Sequence, residues 1–290
     1  MFPSVISHPP VHAKRVLSII TVIKSPAVGF DQTYASVLRE FGDCDDVEYF
    51  IKEWDGSLDL EKCSSEQHFD QKLKVRKVRG KDSGVFDAMN QCIDQVSGEW
   101  VVFLNAGDWF AKGFGANVIQ AIRNSQEVDY LYFDGVTVDQ NDKREFLRKA
   151  PDTLELSHFY HHVPVLHPSL IVHQSTMAKY RFDERYDLAA DFDLMVRLVA
   201  SGISSRHIPK VGALFLSGGL SEQMRIRART QATRSLLSNR RSLWEGCCIL
   251  LAYVKFWLLH LLIAGIVHRI PKLRKCLQTR THGQPEGTYS

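Results

Sequence analysis

The sequence contains no Cys-x-x-Cys pair, although six cysteines are present: Cys44, Cys63, Cys92, Cys247, Cys248 and Cys276. Cys247 and Cys248 sit side by side in an apolar run. Neither a zinc-binding spacing nor a dense disulfide framework follows, and free thiols in a reducing compartment are expected. The opening stretch, MFPSVISHPPVHAKR, lacks a basic start followed by an apolar segment. That is not a secretory signal, so a cytoplasmic body is expected. No internal repeat or low-complexity tract occurs. Net charge is small as well, at +3, but the sum hides an asymmetry. Residues 225–290 carry 12 Lys and Arg against 2 acids, whereas the rest of the chain carries 24 against 31. The mildly acidic body argues against nucleic acid as a partner. The basic tail fits an anionic surface, with a membrane as first choice.

What is present is enough for one large or two ordinary domains: 290 residues, 44% hydrophobic and 24% charged. Val16–Val22 (VLSIITV) is a β-branched apolar run and reads as a strand buried on both faces. Asp31 opens a helix with Tyr34, Val37, Leu38 and Phe41 on one face. Val47–Ile51 reads as the second strand and leads into a polar turn, Trp54–Asp59. Residues 60–80 are charged and carry no clear pattern. Phe86–Val96 is helical and stops near Gly98. Trp100–Leu104 is a buried strand ending in Asn105-Ala106-Gly107-Asp108, and Tyr130–Phe133 is a further strand. Residues 141–165 read as irregular, Leu188–Ala200 as a helix stopped by Gly202, and 216–230 as a Gly-Gly loop followed by Arg225, Arg227 and Arg229. Alternating strands and helices imply an α/β fold with a mostly parallel sheet. Ligands bind such sheets beyond the carboxyl ends of the strands, where the 54–59 and 105–108 turns lie.

Two carboxylates stand out. Asp108 follows a buried strand and a small turn, where one carboxylate can hold Mg²⁺ or Mn²⁺ against a diphosphate; a turn Asp capping its own backbone is the alternative. Asp191 lies in the apolar stripe Leu188, Asp191, Phe192, Met195, Leu198 near a helix start. Partial desolvation raises its strength as a base, and the helix dipole opposes this. Asp193 points away from Asp191 and pairs in sequence with Arg197. Asp82 or Ser83 caps the helix at 85–97 or, with that helix terminus, meets a phosphate. Asp87 and Asn90 on its first turns contact a nucleoside or face solvent. Gly218-Gly219 with the three arginines is a phosphate-gripping loop or a flexible turn before a basic helix. His158, His161 and His162 read as solvated loop residues.

Taken together, these segments resemble the family 2 glycosyltransferases, especially members that assemble bacterial surface polysaccharides, over roughly residues 16–225. The resemblance is carried by Asp82-Ser83-Gly84-Val85-Phe86-Asp87-Ala88-Met89-Asn90 with Gly98-Glu99-Trp100-Val101-Val102-Phe103-Leu104-Asn105-Ala106-Gly107-Asp108. His167-Pro168-Ser169, Phe182-Asp183-Glu184 and Ala189-Ala190-Asp191-Phe192-Asp193-Leu194 follow, and then Gly218-Gly219-Leu220-Ser221. The resemblance implies the GT-A (Rossmann-like) fold and an inverting transfer from a nucleotide-sugar donor to a polyprenyl-linked or glycan acceptor. Asp191 would be the base and Asp108 the ligand of a divalent metal, Mn²⁺ or Mg²⁺. Asp55 and Asp82 would grip the nucleobase and ribose, Asn90 would shape the nucleotide pocket, and Asp87, Asn105, Gly218, Gly219 and Arg225 would complete the donor site. Trp54 stands where the family has an Asp, with Asp55 one position later. Asn105 and Gly107 stand where the family often has further carboxylates.

Cys247–Val267 is an apolar run broken only by Lys255 and His260. Its length suits a spanning helix. A near-central lysine offsets the apolar gain, and both flanks are basic, so the run is expected to lie in, or dip into, the membrane surface. The expected organisation is a catalytic domain over 1–225 and a helical, membrane-associated region over 226–290, peripheral on the inner face of the cell membrane. A catalytically silent nucleotide-binding or scaffold subunit of a membrane complex is the alternative. A nucleotidyltransferase releasing free diphosphate is a third reading.

Overall fold

The β-branched run at residues 16–22 forms the middle of β1 (Arg15–Ile23), whose residues from Leu17 onward are buried on both faces. Such a strand needs neighbours on both edges, and it has them: β1 pairs in parallel with β2 (Val47–Glu53) and with β4 (Gly98–Phe103). The computed structural model describes residues 15–24, 28–54, 56, 58, 72–125 and 127–269. By contacts the chain divides into two compact units, Met1–Asn239 and Arg240–Ser290.

In the first unit, α1 (Phe30–Phe41) follows β1, and β3 (Lys74–Arg79) follows β2. Next come α2 (Val85–Ile93), β4, β5 (Trp109–Phe110), α3 (Phe114–Arg123), β6 (Tyr130–Val138), β7 (Glu145–Arg148) and β8 (Leu170–His173). The unit closes with α4 (Gln174–Tyr180), α5 (Ala190–Ala200), β9 (Ser205–Leu216), α6 (Leu220–Gln223) and α7 (Arg225–Ser238). The nine strands among the described residues form one sheet in the order β3-β2-β1-β4-β8-β6-β9-β5, with β7 added to β6. Strands β1, β2, β3, β4, β6 and β9 run one way; β5, β7 and β8 run against them. Mostly parallel direction is therefore as expected, with β8 inserted antiparallel between β4 and β6.

One face of the sheet is closed by α1 and α3 through an aromatic cluster. Phe110 stacks on Phe114 with centroids 4.4 Å apart, and Phe41 and Phe133 meet these rings edge-on. Burying rings of this size supplies much of the apolar driving force in a core.

Strand β2 runs two residues past the expected Ile51, because the charges there find partners. Lys52 Nζ donates to Asp82 Oδ2 at 2.9 Å and to the Gly80 carbonyl at 2.8 Å. Glu53 accepts from the Leu58 N–H and pairs with Lys77. A buried charge is tolerated when it is paired in this way. Residues 141–165, expected to be irregular, contain β7 and a 3₁₀ turn at Leu156–Phe159. Strand β7 is exposed along its whole length, so its pairing leaves no apolar pattern in the sequence.

The first unit runs past residue 225 because α7 packs on α5. Ser235 Oγ donates to Asp193 Oδ1 at 2.6 Å, and Arg197 holds the other oxygen at 2.7 Å. In the second unit, Leu243–Arg269 forms α8. At its start the Glu245 N–H donates to the Ser242 hydroxyl, an N-cap bond, and the Arg241 N–H donates to the Glu245 carboxylate.

Candidate active site

The site is built on the carboxyl end of β4. The turn Asn105–Asp108 needs close backbone approach to the start of α1. Gly29 has φ +78°, and a Cβ there would lie 2.8 Å from the Gly107 Cα, a distance that only glycine avoids. Thr33, fully buried, bridges the same gap: its hydroxyl accepts from the Gly107 N–H at 3.0 Å and donates to the Asp108 carbonyl at 2.7 Å. The Asp108 side chain then turns toward β9, where Oδ1 accepts from the Leu216 N–H at 3.0 Å. Asp108 is 4% exposed. Burial pushes its carboxyl up to about 7, against the pull of the Leu216 N–H.

Asp191 sits on the first turn of α5, half-buried, and its Oδ1 accepts from the Phe192 N–H at 2.8 Å. The preceding segment is fixed by α7. Asp187 accepts from Arg227 at 2.7 Å and from Gln231 at 2.6 Å, while Gln231 Oε1 accepts from the Leu188 N–H at 3.0 Å.

Asp108 and Asp191, far apart in sequence, line one cleft of about 240 Å³. Asn105, His167, Asp187 and Gly219 share its wall with apolar side chains that include Phe86, Met89, Leu188 and Phe215. Of the residues singled out from sequence, Asn105, Asp108, Asp191 and Gly219 thus come together.

The others lie off this wall. Asp82 is spent on Lys52. Asp87 accepts from the Ser83 N–H and hydroxyl, so it closes the N-terminal turn of α2 from inside, and the Ser83 N–H holds its carboxyl below the usual range. Gly218, at φ +92°, donates its N–H to Glu222, and Arg225 is exposed at the start of α7. Asp55 lies outside the described residues.

Asn90 is buried, and its carboxamide is consumed by the 182–184 segment. It donates to the Phe182 carbonyl and to Glu184, each at 3.0 Å, and accepts from the Phe182 N–H at 2.9 Å. Asn90→Ala therefore costs about 2–3 kcal/mol of stability by urea denaturation, the sum of several lost bonds. Nucleotide affinity measured by calorimetry on the folded variant stays within about threefold. A tenfold loss of affinity with unchanged stability would contradict this placement.

Residues the sequence did not single out are His167, Asp187 and Lys52. His167 stands inside a segment that carried the resemblance, but no local pattern assigns a role to one histidine.

Metal fit rests on the oxygens at the β4 turn. Asn105 Oδ1 is buried with no hydrogen-bond partner among the described residues, on the same cleft as the Asp108 carboxylate. One carboxylate and one free amide oxygen fit a hard cation whose shell is completed by phosphate oxygens and water. A cage built by protein alone does not fit, since among the described residues no three His, Cys, Asp or Glu are grouped to hold a metal.

A helix-flanked sheet with an acidic cleft beyond the carboxyl end of β4 is the architecture of the GT-A glycosyltransferases. The Glycosyl transferase family 2 profile matches residues 18–183, and the chain belongs to that family. No curated protein matches it in sequence. Among solved structures, S. aureus TarS 1–349 aligns at a TM-score of 0.58 and 15% identity, covering 82% of this chain and 70% of that one. The complex of TarS 1–349 with UDP-GlcNAc aligns at 0.56 and 16%, covering 77% of this chain and 66% of that one. The mannosyltransferase PcManGT from Pyrobaculum calidifontis, in complex with GDP-Man and Mn²⁺, aligns at 0.55 and 12%, covering 93% and 85%. At these identities the likeness is one of fold.

Proposed function

We propose that this glycosyltransferase transfers a sugar with inversion from a nucleotide sugar to a hydroxyl of a lipid-linked or glycan acceptor, in polysaccharide assembly at a membrane. The carrying observation is that Asp108 and Asp191 line one cleft. In this reading Asp191 accepts the proton of the acceptor hydroxyl as that oxygen attacks the anomeric carbon. Asp108 and Asn105 face the departing diphosphate, with Gly219 closing the wall above it. A divalent cation held by Asp108 and Asn105 would supply charge neutralisation to the leaving group. The relatives solved with UDP-GlcNAc and with GDP-Man and Mn²⁺ support a sugar nucleotide as donor. The experiment is a panel that includes UDP-GlcNAc and GDP-Man, with and without Mn²⁺, scored for the phosphate product. Nucleoside diphosphate supports transfer. Free diphosphate points to a nucleotidyltransferase, and binding without turnover to a silent subunit.

The membrane part rests on α8. Its stretch Leu243–Leu262 has a mean hydropathy of 1.5 and is 17% buried, and Leu251, Leu258 and Leu262 are among its exposed side chains. Basic residues flank it on both sides, which suits anionic lipid. The full chain is expected to co-sediment with phosphatidylglycerol vesicles. Leu251→Asp with Leu258→Asp lowers that binding more than tenfold, since each Asp costs roughly 2.5–3.5 kcal/mol in the hydrocarbon. Equal sedimentation of both proteins would remove α8 as the anchor.

A further inference from the structure

His167 lines the same cleft wall as Asp191 and Asn105. It begins the 3₁₀ turn His167–Ser169 just before β8. Its ring stacks on Phe103 at 5.7 Å and meets Phe182 edge-on at 5.7 Å. The residue is 7% exposed; its backbone carbonyl accepts from the Leu170 N–H, and its ring makes no hydrogen bond to any described residue. The chain's other largely buried imidazole is fully engaged. His207 is bonded on both ring nitrogens, to Asp134 at 3.0 Å and to Asp152 at 3.1 Å. His167 thus differs from a structural histidine of the same protein: its ring has no hydrogen-bond partner among the described residues, and it lines a cleft with Asp191.

The chemistry of a partner for the ring can be narrowed. Burial holds the imidazole below its ordinary range, and the Asp191 carboxylate pulls the other way. A neutral imidazole offers one N–H donor and one acceptor nitrogen. That pair suits a hydroxyl, which also donates and accepts, better than it suits a phosphate, which calls for donors alone. The aromatic walls provided by Phe103 and Phe182 keep the ring plane fixed, so little rotamer freedom is lost on binding.

We infer that His167 is an acceptor-binding residue, which hydrogen-bonds a second hydroxyl of the acceptor sugar beside the hydroxyl that Asp191 deprotonates. The acceptor class is accordingly a polyol with neighbouring hydroxyls rather than an isolated alcohol. This inference rests on the proposed role of Asp191.

The test uses the full chain with methyl hexopyranosides and their mono-deoxy analogues as acceptors, and with whichever of UDP-GlcNAc and GDP-Man is turned over. His167→Phe keeps the ring packing and loses the hydrogen bond; His167→Gln restores a donor and an acceptor. The expected result is a KM for the methyl glycoside about tenfold higher in His167→Phe, partly recovered in His167→Gln, with the donor Kd by calorimetry unmoved. One deoxy analogue should bind wild type and His167→Phe equally. An acceptor KM within twofold of wild type in His167→Phe overturns the inference, and so does a rise that no deoxy analogue reproduces. A second arm needs no turnover: the His167 ring nitrogen resonances, assigned through His167→Gln, are followed during methyl glycoside titration. Movement supports the inference, and silence at saturating glycoside overturns it. Failure of the chain to turn over any sugar nucleotide would sink the proposed function and leave this arm to decide His167.

Discussion

Asp191→Asn lowers kcat for transfer by roughly 10²–10⁴-fold, the usual contribution of a positioned general base, and leaves donor affinity near that of wild type. The substitution is nearly isosteric. Asparagine Oδ1 can still accept from the Phe192 N–H that Asp191 Oδ1 now engages at 2.8 Å, so α5 keeps its N-terminal bond. What is lost is the capacity to take a proton. A second consequence follows from the cleft. The Asp191 charge is what pulls the His167 imidazole up against its burial. Without it, His167 should titrate at lower pH still, a shift visible in a histidine NMR titration even without substrate. Transfer that survives Asp191→Asn undiminished removes the base from this reading. An unmoved His167 titration would mean that the two side chains do not share the cleft in solution.

Asp108→Asn should act on stability and activity in opposite directions. Burial raises the Asp108 carboxyl from 3.8 to about 7, so between these values the folded state holds a proton that the unfolded state releases. Stability is therefore undiminished below about pH 4 and falls as pH rises toward 7; above that the whole cost of a buried carboxylate is present. Removing the charge relieves that cost, on the order of 2–4 kcal/mol at pH 8, while asparagine Oδ1 keeps the Leu216 bond. In metal-free buffer the variant should melt higher than wild type at pH 8, and the two should converge near pH 4. Turnover moves the other way: stimulation by Mn²⁺ disappears and kcat drops by about 10²-fold or more, in line with loss of an electrostatic stabiliser of the leaving group. Equal melting temperatures at pH 8 would show that water reaches Asp108 freely. Unchanged stimulation by Mn²⁺ would place the metal elsewhere.

The parts of the fold that could be read directly are those whose burial repeats along the chain. β1 and β4 are apolar runs buried on both faces, and α1 and α2 each have one apolar stripe. Strands β3 and β7 were not legible for the opposite reason. Lys74–Arg79 is an edge strand whose long charged side chains remain in water, and Glu145–Arg148 is exposed throughout; backbone pairing holds them, and backbone pairing is common to all sequences. The ends of β2 misled differently. Lys52 and Glu53 look like turn residues until Asp82 and Lys77 are brought beside them. Among the candidate site residues, Asp108 and Asp191 stand out because a carboxylate beside a buried element is conspicuous. Asn90 looked equally suited to a ligand, yet its donors and acceptor are used up within the chain.

Sequence alone determined which segments must be buried, where the strand ends leave polar turns, and which family resemblance those turns carry. Tertiary structure decided which polar groups in those turns remain free to meet a ligand. Asp82, Asp87 and Asn90 are consumed by partners distant or local, while Asp108, Asp191, Asn105 and His167 arrive together at one cleft. The reason is physical: burial is favoured residue by residue and so leaves its mark along the chain, whereas the satisfaction of a hydrogen bond depends on what the rest of the fold places within about 3 Å.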